Sequence, residues 1–158
     1  MPESDRAAFH LPGHPLPALI NLKSTQGDSV DLFMASLSRP ILVCAHNLGA
    51  EKDSPALRYL SSISASLAAL RTQAPEIGVY GLSTSETRDR GFGFPQLTDT
   101  RAELTKALEL PADGNPPVLR LCTMLLKEGQ VTRLDYPVPP EEAGSRALEL
   151  LQRDAGLL

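Results

Sequence analysis

The chain has 158 residues, 42% of them hydrophobic and 22% charged, which suits one globular domain and excludes global disorder. Its net charge of −4, with no run of Lys and Arg, excludes a nucleic-acid or anionic-membrane surface. Two cysteines, Cys44 and Cys122, are too few and too far apart for a disulfide-rich secreted scaffold, and no C-x-x-C pair occurs. The opening MPESDRAAFHLPGHPLP has no apolar signal-peptide core, and no apolar run is long enough to cross a bilayer. A cytoplasmic location is therefore expected.

Residues 1–16, rich in Pro, Gly and charge, read as a loosely held arm before a single domain over 17–158. PALINL (17–22) and DSVDL (28–32) are short β-type runs joined by a turn at Gln26-Gly27-Asp28. PILVCAH (40–46) is a continuous apolar run of strand length, as expected of a strand buried on both faces. Ser54-Pro55 is a helix start, and Leu57, Leu60, Ile63, Leu67 and Leu70 carry the helix to about Thr72. IGVYGLS (77–83) is the next buried strand, which makes a βαβ unit with a parallel pair.

Residues 84–95 read as a loop and PQLT (95–98) as an edge-like run. Thr100-Arg101-Ala102-Glu103 has the spacing of a capping box and opens a helix to about Leu110. PADGNPP (111–117) suits neither a helix nor a central strand. VLRLCTMLL (118–126) and QVTRL (130–134) flank Lys127-Glu128-Gly129 as a β-hairpin. A helix over 139–153 closes the chain. The predicted fold class is α/β and thioredoxin-like: a mixed central sheet flanked by helices, with an N-terminal β-hairpin.

In that order the pieces resemble a peroxiredoxin of the alkyl hydroperoxide reductase/thiol-specific antioxidant family. LPGHPLPALINLKSTQGDSVDL resembles the family's opening hairpin, and SRPILVCAH the strand leading into its active-site loop. IGVYGLSTSE, GFPQLTD and RLCTMLLKEGQV resemble its later V-x-G-v-S-x-D, f-P-l-L-s-D and R-x-t-F-v-I-D-x-x-G-x-v segments. The resemblance spans roughly residues 12–135. It implies antioxidant redox activity on a peroxide with a thiol reductant, no cofactor, and a homodimer.

The resemblance breaks at the loop, where the family carries P-x-x-x-[TS]-x-x-C. His46 stands in place of the Pro, Ala50 of the Thr and Asp53 of the peroxidatic Cys; a one-residue slip puts Ser54 there instead. Neither replaces a thiolate, whose soft sulfur accepts the peroxide oxygen. Arg120 matches the arginine that in peroxiredoxins stabilises the thiolate and polarises the peroxide, and it is placed to pair with Asp53. The segment from Ser83 to Asp99 is shorter than the family's spacing, which puts the dimer and the pocket rim in question.

The remaining chemistry divides three ways. Thiol redox activity resting on Cys44 and Cys122, as a disulfide pair, needs the two residues nearly opposite on neighbouring strands. A catalytically silent homologue acting as a binding module needs inert thiols and an Asp53–Arg120 contact. An enzyme reusing the pocket for non-redox chemistry needs His46, Asp53 and Arg120 to converge. Asp53 as a helix cap, His46 as a satisfied strand-end group and Arg120 as a salt-bridged strand residue are the plain structural alternatives. Pro12 and Gly13 deny His10 and His14 the helix that metal binding at that spacing needs. Ser83, Thr84, Ser85 and Glu86 read as a solvated strand end. Core packing accounts first for Tyr80, Phe92 and Phe94.

Overall fold

β3 (Ile41–Ala45) forms from the apolar run expected, and every residue in it is buried. The computed structural model describes residues 10–47, 55–85, 91–114 and 117–156. β3 pairs in parallel with β4 (Gly78–Ser83), also buried throughout, and β4 pairs in parallel with β5 (Gln96–Thr98). On its other side β3 pairs antiparallel with β8 (Cys122–Lys127), which turns into β9 (Gln130–Asp135). β1 (Leu22–Ser24) joins β5 antiparallel and carries β2 (Ser29–Val30) at the edge. The mixed seven-stranded order is β2-β1-β5-β4-β3-β8-β9. Among the described residues no helix is long and apolar enough to cross a membrane.

Alternation along the strands divides the core. Ile41, Val43 and Ala45 face one layer with Leu82, Leu97, Cys122 and Met124. Leu42 and Cys44 face the other, with Val79, Leu125 and the helices that cover them. These are α2 (Pro55–Ala65), α3 (Leu67–Gln73) and α5 (Ala143–Asp154). In α2 the residues Ala56, Tyr59, Leu60 and Ile63 recur at helical spacing and form its buried face.

Several elements differ from expectation. The single helix to Thr72 is two, broken at Ser66, where Gly144 of α5 is packed so closely that a Cβ there would lie 2.1 Å from Ser66 Oγ. The run at 28–32 is strand only at Ser29–Val30. Asp31 is instead the cap of an unexpected helix α1 (Leu32–Ser38), accepting hydrogen bonds from Phe33 N and Met34 N. The strand expected over 17–22 forms later, at Leu22–Ser24.

The Thr100–Glu103 capping box does not open α4 (Glu103–Leu108). Asp99 does so, its carboxylate accepting from Leu104 N and from Thr105 N and Oγ1. The run at 118–126 is two strands. β7 (Val118–Leu119) pairs with β6 (Ala112–Asp113) in a separate hairpin, and β8 begins after Leu121. Residues 11–16 of the arm are docked: Gly13 N donates to Val131 O, Val131 N to His14 O and Leu16 N to Gly129 O, and Leu11 is buried. The β8–β9 hairpin forms as expected, with Glu128 and Gly129 both at positive φ, the backbone such a two-residue turn requires.

Candidate functional site

Sites in open α/β sheets lie beyond the carboxyl ends of the parallel strands. Here that end is formed by Ala45-His46, Ser83-Thr84 and Thr98-Asp99, with β8 arriving from Arg120 in the opposite direction. Asp53, Ser54 and Glu86 lie outside the described residues.

The register separates the two cysteines. Cys44 stands opposite Thr123, and Cys122 opposite Ala45. A one-residue offset on paired strands sends the side chains to opposite faces. Cys44 packs under α2, and Cys122 packs in the other layer with Tyr80 and Leu119. Both are free thiols with 0% exposure, so the disulfide that the thiol-redox alternative needs is not formed. Burial pushes the Cys44 thiol up to about 12, only partly offset by its hydrogen bond with Tyr59. Burial likewise pushes the Cys122 thiol up, with the nearby Asp135 charge adding to the effect.

Tyr59, which the sequence reading passed over, reaches down from α2 onto the sheet face that carries Cys44. Its hydroxyl donates to the Cys122 carbonyl oxygen at 3.0 Å and lies 2.7 Å from Thr123 Oγ1. With its proton given to the carbonyl, Tyr59 accepts from Thr123.

His46 is fully buried beside β4 and β5. Its Nε2 lies 2.8 Å from Gln96 Oε1, and burial lowers its pKa to about 4 despite that bond. The Gln96 side chain reaches His46 by crossing Gly81, where a Cβ would sit 1.9 Å from Gln96 Oε1. Gln96 Nε2 is buried and has no hydrogen-bond partner among the described residues.

These groups form a single rung. Gln96 stands beside Gly81, Gly81 beside Cys44, Cys44 beside Thr123 and Thr123 beside Asp135, so five strands place a polar or small residue at one level. Asp135 closes the rung with Arg146 of α5, at 2.7 and 3.0 Å.

Arg120 is bonded to two partners among the described residues. Its Nε and Nη2 donate to Asp113 Oδ2 and Oδ1 at 2.9 and 2.5 Å, and its Nη1 donates to the Tyr136 hydroxyl at 3.0 Å. The Asp113 bond and then the Tyr136 bond raise the Arg120 pKa, and Arg120 in turn lowers that of Asp113. His46 and Arg120, which the non-redox alternative needs to converge with Asp53, are bonded among the described residues to Gln96 in one case and to Asp113 and Tyr136 in the other, and Asp53 lies outside those residues.

The secondary candidates have plain roles. His10 Nε2 donates to Leu108 O, and His14 Nδ1 lies 2.8 Å from Pro15 O. Ser83 Oγ accepts from Ser85 N, and Thr84 Oγ1 donates to Pro117 O. Tyr80 packs in one core layer and Phe92 and Phe94 in the other.

No protein-family model matches the chain, and no curated protein does. Solved structures do match. Peroxiredoxin Q of Xanthomonas campestris superposes with a TM-score of 0.73 at 18% identity, over 89% of this chain and 97% of that one. Plasmodium yoelii thioredoxin peroxidase I gives 0.72 at 12% identity, over 90% and 89%. Peroxiredoxin 6 of Arenicola marina gives 0.71 at 12%, over 89% and 71%.

The fold is that of the peroxiredoxins. The resemblance read from the segments is thus matched in three dimensions, with a thioredoxin-like sheet between two helical layers. Within this peroxiredoxin fold both cysteines of the chain sit in strands, at 44 and 122, and none occurs between His46 and Leu57.

Proposed function

We propose that this chain is a peroxiredoxin-like protein with a degenerate active-site loop, and that it acts as a binding module rather than as a thiol peroxidase. One observation carries the reading: both thiols are fully buried on opposite faces of the sheet; the sequence resemblance, which sets Asp53 or, with a one-residue slip, Ser54 at the loop position of the peroxidatic cysteine, supports it. A thiol with a pKa near 12 is deprotonated in roughly one molecule in a hundred thousand at neutral pH. That fraction, without access, supports no useful attack on a peroxide.

A second reading keeps the redox class. It is favoured by the fold neighbours, one of which is described through its alkyl peroxide reduction activity. In that reading Cys44 or Cys122 reacts slowly with peroxide when the sheet end opens, and a thiol reductant restores it.

One experiment separates the two. Free thiols are counted with a chromogenic disulfide before and after a stoichiometric dose of hydrogen peroxide, on native and on unfolded protein. The expected result is no reactive thiol in the native protein, two on unfolding, and no loss after peroxide. Loss of native thiols after peroxide that a thiol reductant reverses, and that disappears in Cys44→Ser or Cys122→Ser, would overturn the binding-module reading.

A further inference from the structure

At this sheet end, among the described residues, Arg120 of the peroxiredoxin-like pattern already holds a carboxylate, that of Asp113. We propose that Arg120 and Tyr136 form a carboxylate-recognising fork, that Asp113 occupies it as an internal and exchangeable ligand, and that a carboxylate from solution takes its place. The proposal rests on reading this end of the sheet as a binding site.

The geometry is that of built recognition. Two parallel N–H···O bonds, from Nε and Nη2, meet the two carboxylate oxygens, which is how a guanidinium reads a carboxylate. Nη1 is fixed separately by the Tyr136 hydroxyl, so the plane of the fork is set from its far side. The Arg120 backbone N–H is tied to Pro111 O, which holds the cation at the base of the hairpin that carries Asp113.

The two partners are not equally embedded. The Arg120 side chain is 33% exposed and that of Asp113 is 64% exposed. The cation is the seated half, and the carboxylate is the wet half. An exposed carboxylate keeps most of its hydration in the pair, so exchanging it for another carboxylate costs little desolvation. The hairpin presenting it has only two paired residues on each side, so few contacts oppose its displacement. The fork also sits beside the end of β3, since β8 begins two residues after Arg120 with Cys122 opposite Ala45.

The test uses the full chain labelled with ¹⁵N and ¹³C. The Arg120 Nε–H resonance is followed during titration with sodium acetate, and in a second arm with a tri-glutamate peptide. Asp113→Asn is expected to bind the probe about fivefold more tightly than wild type, because the internal competitor is removed. Adding Arg120→Lys to that variant is expected to abolish the response, and Tyr136→Phe to weaken it. Acetate binding tighter than peptide binding identifies a small acid as the ligand source, and the reverse identifies an acidic protein segment.

In wild type, the Asp113 carboxyl resonance has to move together with Arg120 Nε–H as probe is added. If neither moves, the proposal is overturned without any variant. It is also overturned if Asp113→Asn binds both probes no better than wild type while its hairpin amide signals are intact, with Asp113→Ala used should they be lost. Cysteine-dependent peroxide turnover would overturn the binding-module reading alone, and the exchange at Arg120 would stand or fall by its own titration.

Discussion

His46 shows how one residue changes role between pattern and packing. In the sequence it is a candidate acid or base at a strand end. In the fold it is an interior neutral group, held below its ordinary pKa by burial, with Gln96 opposing that shift. The linkage has a definite sign. Between the ordinary value of 6.5 and the folded value near 4, the unfolded chain binds a proton that the folded chain refuses. Stability from His46 is therefore complete above pH 6.5 and is lost as pH falls toward 4, by roughly 3 kcal/mol across that window. Asp135 acts oppositely: burial raises its pKa against the Arg146 bond, so its contribution favours the acid side of its own titration. Urea denaturation of wild type and His46→Gln at pH 7 and pH 4.5 checks the sign. The wild type should lose more stability on acidification than the variant, and equal losses would remove His46 as the cause.

At the scale of elements, the contact between α2, α3 and α5 depends on a missing side chain. Gly144 N donates to Ser62 Oγ, and a Cβ on Gly144 would meet the Ser62 carbonyl oxygen at 2.4 Å. That oxygen belongs to the backbone and cannot rotate away. Gly144→Ala is therefore expected to destabilise the fold by about 1–3 kcal/mol, although alanine is the better helix former. A thermal melt reads the result, and an unchanged or raised midpoint would contradict the packing account.

The same elements show what the sequence disclosed. β3, β4 and the β8–β9 hairpin were legible because continuous apolar runs and the Glu128-Gly129 turn have few other solutions. α1 was not, because Asp31 ended an apparent strand pattern while serving as a helix cap. The capping of α4 was misread because Asp99, two residues before Arg101, supplies the acceptors that Thr100 was expected to supply. The order of segments carried the peroxiredoxin-like fold. The separation of Cys44 from Cys122 turned on one residue of register, which composition does not encode. Tyr59 and Gln96 were hidden because their partners, Thr123 and His46, are distant in sequence and close only through the sheet.

For the molecule as a whole, the polar rung runs across the sheet through five strands. It is most sensitive at Gly81, where any side chain must displace the Gln96 amide from His46. Gly81→Ala is expected to cost about 1–3 kcal/mol through the broken buried bond. A denaturant midpoint measures it, and a neutral result would show that Gln96 relaxes without loss.

The rung also bears on how the strands find their alignment. An all-apolar sheet interior would tolerate a strand shifted by one position, since both faces would still be greasy. Here a shift of β8 by one residue would turn Thr123 away from Tyr59 and into the opposite layer, among Tyr80, Leu119 and Met124. The same slip in β5 would carry Gln96 away from His46. The buried polar groups thus serve as an index mark: one alignment keeps both the Tyr59–Thr123 and the His46–Gln96 bonds, and misaligned sheets are penalised at more than one strand.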